Sequence, residues 1–358
     1  MCAQLGSNPV THLGLSNKEL FHSNMLAWLF QEHPEQATAA FDDLLVADPA
    51  EQWSEVLREW LHLDLVVWVP GRRALVIENK TFSLLREQQL WDYSALGWVQ
   101  SDDPTLVVLS LGHPGWPERE RTIALDSGKP RTWRWLSYAE LAVRLRAVCQ
   151  DVSVLFDRML LERYCDVLDN LVELAEMLTT SKSDDELVSL PPPVTDQLSK
   201  VRLADGLLKL RTDEIGRRID ESVVAGFTRG TPHLSIFEGQ GKRWVGWQLQ
   251  GEQFRLCAIF NDVHLYGNEP KKQRARSKEA KKLADANIWF NFDELERVLG
   301  ARASIPTRAR PDENGFNKYN PDFVYRYRQV RDLTQRELIA LGSFYLQAAR
   351  NVPSLVAP

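Results

Sequence analysis

Apolar residues recur at helical spacing over residues 16–31, where Leu20, Phe21, Met25, Trp28 and Leu29 make one broad face. Ser16 stands where a helix cap would, and Glu19 follows three residues later, the spacing of a capping box. A second helix is expected after Pro34. The run Leu61–Val69, rich in Leu, Val and Trp, predicts a strand, Pro70-Gly71-Arg72-Arg73 a turn, and Ala74–Lys80 the returning strand. Leu85–Val99 reads as a helix. Leu106–Leu111 is almost wholly apolar and reads as a central strand. Ser137–Cys149 reads as another helix, with Ser137 and Glu140 repeating the capping-box spacing. Helix, hairpin, helix, buried strand, helix is the order of an α/β mixed sheet flanked by helices.

A long helix is predicted over 153–178, with Leu160, Tyr164, Leu168, Leu171, Ala175 and Leu178 on one face. Thr179–Pro193, ending in three prolines, reads as a linker. These signals divide the chain into a core over 1–150, a helical extension and linker over 151–195, and an α+β domain over 196–358. The last part opens with a helix near Leu198–Val223. Strand candidates follow at Leu234–Phe237, Arg243–Leu249, Phe254–Phe260 and Ile288–Phe292, close enough together to suggest an antiparallel sheet. Leu333–Arg350 reads as a closing helix, with Thr334 and Glu337 at capping-box spacing.

Composition narrows the class. With 358 residues, 44% hydrophobic and 26% charged, the chain can build two cores, and wholesale disorder is excluded. Its apolar runs are too short to span a bilayer, and no signal peptide is expected. Four scattered cysteines suggest neither a disulfide framework nor a zinc cluster, and the histidines are not grouped at zinc spacing. A cytoplasmic home and no membrane partner are the expectation. The net charge of −6 excludes a uniformly basic surface but leaves room for a local basic groove.

The hairpin carries the informative charges. Asp64, Glu78 and Lys80 interrupt two otherwise apolar strands. Glu78 and Lys80, two apart, share a face. Pairing Val69 with Ala74 would set Asp64 opposite Asn79, on the wrong face. A slip of one residue, or a bulge, sets Asp64 opposite Glu78 or Lys80, and only then do the three charges meet. Two carboxylates held together in this way call for a cation. Carboxylate and water ligands suit Mg2+ or Mn2+, and an adjacent lysine completes the parts for metal-assisted hydrolysis of a phosphodiester.

At these residues the chain resembles the PD-(D/E)XK nuclease superfamily, the restriction-endonuclease-like fold. Glu78-Asn79-Lys80 corresponds to its E-x-K element and Asp64 to its upstream aspartate, with Leu63 where the motif's name has proline. Asn17–Ser23, followed by Leu26-Ala27-Trp28-Leu29, resembles the opening helix of one bacterial branch, and Gln89–Tyr93 resembles its Q-x-x-x-Y helix. The resemblance covers roughly residues 15–150. It implies a metal-dependent nuclease in which Asp64 and Glu78 bind the metal, Glu19 can complete the shell, Lys80 assists the attacking water, and Gln89 lies near the lysine.

Plainer readings compete. Glu19 could be only a capping-box residue, Asp64 could pair with Arg72 or Arg73, and Glu78 and Lys80 could form an exposed pair. Gln89 could lie on the surface, and Tyr93 and His22 could be structural. His62 shares a strand face with Asp64 and could enter the groove. The run 271–282 holds seven cationic side chains against one acid, and Lys271, Lys272, Arg274, Arg276 and Lys278 are candidates to grip phosphates. A solvated linker is the alternative. Trp244, Trp247, Tyr266, Trp289, Phe290 and Phe292 could include a base-stacking platform or could pack a core. The leading expectation is a nuclease acting on DNA, for which genome defence or repair would be a natural setting. The alternatives are a non-cleaving nucleic-acid-binding or regulatory protein on the same fold, and a defence effector working with a partner protein; residues 196–358 are the candidate region for a homodimer or partner-protein contact.

Overall fold

The computed structural model describes residues 1–179, 183–222, 227–231, 234–237, 243–260, 262–302, 312–319 and 322–350. They fall into two units, one formed by Met1–Leu178 and Pro192–Leu210, the other by Thr179–Pro191 and Arg211–Pro358.

The first unit is an α/β domain. Two short helices, α1 (Cys2–Ser7) and α2 (Pro9–His12), lead to α3 (Glu19–Glu32) and α4 (Pro34–Ala40). Strands β1 (Glu55–Trp60), β2 (Leu63–Trp68) and β3 (Leu75–Lys80) follow. Then come α5 (Glu87–Ser94), α6 (Gly97–Asp102), β4 (Thr105–Ser110), β5 (Glu120–Ile123), β6 (Arg131–Ser137), α7 (Tyr138–Cys149) and α8 (Leu155–Thr179). The strands lie in the order β1-β2-β3-β4-β6-β5. β3, β4 and β6 run parallel and the other pairings are antiparallel, so the sheet is mixed.

Period-two alternation sends successive side chains to opposite faces. Leu65, Val67, Leu75, Ile77, Val107 and Leu109 pack on the side of α3, α4, α7 and α8. Val66, Val76, Leu106, Val108 and Trp133 pack on the side of Leu90 and Tyr93 from α5 and Val99 from α6. β3 is buried along its whole length because both faces are covered. The capping box at Ser137 and Glu140 forms as its spacing predicts.

Helix α8 belongs to the first unit, not to a separate extension. Leu161, Tyr164, Cys165 and Leu168 help fill its core. Pro192 opens a helix, α9 (Pro192–Lys200), rather than prolonging a linker, and α10 (Ala204–Ser222) follows. Residues 204–210 of α10 also belong to the first unit. There Gly206 lies against Phe82, and a Cβ at this position would sit 2.5 Å from the ring.

Several element predictions are corrected. The segment 85–99 forms two helices, parted at Ala95 and Leu96, and 198–223 likewise splits into α9 and α10. β1 went unforeseen because it is an edge strand with mixed exposure. β5 is a four-residue edge strand carrying Glu120 and Arg121, and β6 carries Arg131 and Arg134, so neither presents an apolar run.

The second unit is α+β. It comprises β7 (Phe227–Thr231), β8 (Leu234–Phe237), β9 (Arg243–Gln250), β10 (Gln253–Phe260), α11 (Pro270–Asp285), α12 (Asp293–Leu299), β11 (Asn317–Tyr319), β12 (Phe323–Gln329) and α13 (Gln335–Arg350). Its antiparallel sheet has the order β11-β12-β10-β9-β8-β7. Thr334 and Glu337 cap α13 reciprocally.

Ile288–Phe292 is not a strand. The backbone turns there, with Phe290 at φ 65°, and the rings of Trp289, Phe290 and Phe292 enter the core beside Trp247. Those four aromatics are therefore packing residues, and no base-stacking platform can be built from them. Trp244 packs against Cys257, Ile259 and Phe323, while Tyr266 is half exposed. All four cysteines are free. Among the described residues no helix is long and apolar enough to cross a membrane.

Gly206→Ala separates two effects. Helix propensity alone would stabilise α10 by roughly 0.5–1 kcal/mol, whereas overpacking against Phe82 costs roughly 1–3 kcal/mol. The close approach predicts a net loss, read as a melting temperature lowered by a few degrees. A melting temperature that rises would show that Phe82 gives way freely.

Candidate functional site

The β2–β3 register resolves the question the sequence leaves open. Leu65 pairs with Ile77, Val66 with Val76 and Val67 with Leu75, so the same register carried one residue further sets Asp64 level with Glu78. Asp64 shares a face with Val66, and Glu78 and Lys80 share one with Val76, so all three charges lie on the side of the sheet that faces α5. The turn entering β2 is unusual. Leu61 and His62 both have left-handed φ values, 52° and 70°, a conformation that L-residues with bulky side chains rarely hold unaided. The Tyr93 hydroxyl donates to the His62 carbonyl at 2.7 Å and pins this turn. The His62 side chain itself is exposed.

Glu78 is the centre of the site and is 1% exposed. Its Oε1 accepts from the Lys80 ammonium at 2.6 Å and from Gln89 Nε2 at 2.7 Å. Gln89 Nε2 is also 2.8 Å from the Tyr93 hydroxyl, which fixes the amide. Glu78 Oε2 is buried without a hydrogen-bond partner. A buried carboxylate oxygen left in this way is costly and needs a cation, a proton or a water. Asp64 turns Oδ2 to the backbone N–H of Asn79, at 2.7 Å.

The electrostatics follow from this crowding. Burial, reinforced by the nearby Asp64 charge, pushes the Glu78 carboxyl up to about 7. Burial also raises Asp64, against the pull of the Asn79 amide and Lys80. Burial alone would lower Lys80, but Glu78, Asp64 and Glu19 outweigh it, so its pKa is raised and the amine keeps its proton.

The other face of β3 holds a second polar set that the sequence reading passed over. Asn79 Nδ2 donates to the Glu19 carbonyl at 2.9 Å and to Ser23 Oγ at 3.2 Å. The Tyr138 hydroxyl donates to Asn79 Oδ1 at 2.7 Å and lies 2.6 Å from Thr81 Oγ1. These bonds tie β3 to α3 and α7 directly behind Glu78 and Lys80. The only signal in the sequence was an amide between Glu78 and Lys80 at the end of an otherwise apolar strand.

Glu19 is neither a capping-box residue nor part of a three-carboxylate cluster. Lys18 is the N-cap of α3 and no side chain caps it. Ser16 is buried, and its carbonyl meets His22 Nε2 at 3.0 Å. Glu19 Oε1 instead accepts from the amides of Phe82 and Ser83, at 3.1 and 2.7 Å. The expected third metal ligand is thus engaged in holding the loop that follows β3. His22 is structural. It is fully buried, bonded to Tyr164 and Ser16, and burial lowers it to about 4.

Among the described residues no group of three or more His, Cys, Asp or Glu side chains is arranged to hold a metal ion. Two carboxylates with an orphaned oxygen still fit Mg2+ or Mn2+, because small hard cations commonly take one or two protein carboxylates and fill the shell with water and substrate oxygens.

In the basic run, Arg276 cannot meet a phosphate. It is fully buried and donates to the carbonyls of Leu265 and Gly267. Lys272 pairs with Glu269 at 3.6 Å. Lys271, Arg274 and Lys278 are exposed.

A family model described as the PD-(D/E)XK nuclease superfamily matches residues 8–105, a span that holds Glu19, Asp64, Glu78, Lys80 and Gln89. This N-terminal region belongs to that superfamily. No curated protein and no solved structure matches the chain.

The raised pKa of Glu78 has a signed consequence. Between about 4.5 and about 7 the folded state keeps a proton that the unfolded chain has released. Glu78 therefore favours the fold below that window, and its contribution is lost as pH rises through 7. Without divalent cations, Glu78→Gln should gain stability relative to wild type between pH 5 and pH 8, by an amount on the order of 2–3 kcal/mol. Denaturant unfolding of both proteins at the two pH values measures it. A difference that does not change with pH would mean that Glu78 ionises freely.

Proposed function

We propose that the first unit is a divalent-metal-dependent nuclease that hydrolyses phosphodiester bonds in DNA. The observation that carries this reading is the buried, unpartnered Oε2 of Glu78 beside Asp64, with a lysine ammonium held on the other oxygen. Membership of residues 8–105 in a nuclease superfamily supports it.

Glu78 Oε2 and Asp64 would hold one Mg2+ or Mn2+. The bound ion would polarise a phosphoryl oxygen and lower the pKa of a bound water. Lys80 acts as a cation in this scheme. Its retained proton suits it to orient the attacking water and to neutralise charge gathering on the phosphate, not to abstract a proton. Gln89, fixed by Tyr93, holds Glu78 Oε1 so that the carboxylate presents its other oxygen. Glu19 keeps the chain after Lys80 in place through the Phe82 and Ser83 amides.

Two measurements test the reading. Mg2+ or Mn2+ at millimolar concentration should raise the melting temperature of wild type at pH 8 by a few degrees and leave Glu78→Gln unmoved, because ligand binding to the folded state alone stabilises it. Plasmid and linear DNA should be cleaved with Mg2+ or Mn2+. Asp64→Ala, Glu78→Ala and Lys80→Ala should each lower the rate at least ~100-fold, the scale of losing a positioned charge at a transition state. Cleavage that survives all three substitutions would place the chemistry elsewhere. A metal-dependent stabilisation without cleavage of DNA or RNA would favour the non-cleaving alternative.

A further inference from the structure

We propose that α11 and the loop before it form a nucleic-acid-docking surface in the second unit, with a cationic stripe for phosphates and Tyr266 for a base. The inference goes beyond the hydrolytic reading and uses none of its residues.

The stripe is defined by which cations lack a carboxylate. On α11, Lys272 pairs with Glu269, Lys281 with Asp285 at 2.8 Å and Lys282 with Glu279 at 2.6 Å. Among the described residues Lys271, Arg274 and Lys278 make no ion pair. They are exposed, and their spacing of i, i+3 and i+7 puts them on one side of the helix, spanning about 10 Å along its axis. The opposite side, Arg276, Ser277, Ala280 and Leu283, is buried.

Like charges at i+3 and i+4 cost a helix roughly 0.2–0.5 kcal/mol each. The second half of α11 avoids this by interleaving acids, as an ordinary solvated face does. The Lys271, Arg274 and Lys278 stripe does not, in a chain whose net charge is −6. A polyanion seated on the stripe removes the repulsion and releases its own counterions.

The buried Arg276 adds the second half of the surface. Its guanidinium donates to the carbonyls of Leu265 and Gly267, the two residues flanking Tyr266. The loop is thereby held to the helix, and the Tyr266 ring between those anchors stays 50% exposed. An exposed ring on the anchored loop that leads into a helix bearing a row of cations suits a nucleic-acid strand, whose bases stack while its phosphates pair. An acidic peptide would use the cations and leave the ring idle.

The test is fluorescence anisotropy of the full chain carrying Glu78→Gln, with a labelled single strand of about 20 nucleotides, over a range of salt concentrations. Replacing Lys271, Arg274 and Lys278 together by Gln should weaken binding at least ~10-fold near 0.1 M salt. It should also reduce the slope of log affinity against log salt by about 2, the share of three single-strand phosphate contacts. Tyr266→Ala should weaken binding about 5-fold or more with the slope unchanged.

Circular dichroism and melting of the triple variant should match the parent, since the three side chains are exposed. Unchanged affinity and slope in the triple variant would overturn the inference and leave the nuclease reading untouched. Polyglutamate competing as well as the oligonucleotide, or Tyr266→Ala without effect, would overturn the assignment to nucleic acid. Binding lost in the triple variant of a protein that cleaves nothing would uphold this surface and reject the nuclease reading.

Discussion

The buried carboxylate of Glu78 is the constraint around which the first unit is organised. A carboxylate at 1% exposure is tolerated only if its surroundings repay the lost hydration. Here they do so on one oxygen, through Lys80 and Gln89, and withhold it from the other. That asymmetry orients the group. The flanking pieces serve it: the β2–β3 register brings Asp64 level, Tyr93 fixes both Gln89 and the turn into β2, and Glu19 secures the chain beyond Lys80.

Strand alternation separates this chemistry from the scaffolding. Glu78 and Lys80 face one way and Asn79 the other, where its amide meets Glu19, Ser23 and Tyr138. Buried polar groups of this kind cost free energy unless they are fully bonded, and once bonded they permit few alternative arrangements. The Asn79 set therefore fixes how β3 sits against α3 and α7, and the face that carries Glu78 and Lys80 inherits that position.

The hairpin, the charges on it and the mixed sheet were legible in the sequence because they rest on period-two patterning and on local turn chemistry. The register was narrowed to a choice, and the pairing of Leu65 with Ile77 settles it. For Glu19 the sequence left a cap and a metal-site role open; the cap does not form, and the amides its Oε1 meets carry no side-chain signature. Arg276 could not be told from Lys278 within a basic run, because burial depends on what the helix packs against. The Ile288–Phe292 strand failed because its aromatics serve a turn into the core, where β-propensity gives the wrong answer.

The bond from Glu19 to the Ser83 amide joins residues 64 apart in the chain. Contacts of such long sequence separation close only after substantial chain entropy has been surrendered. The loop that follows β3 is therefore anchored only once the opening helix has docked on the finished hairpin. A polypeptide whose opening helix had not docked would hold Asp64 and Glu78 on its hairpin and leave the chain beyond Lys80 untethered.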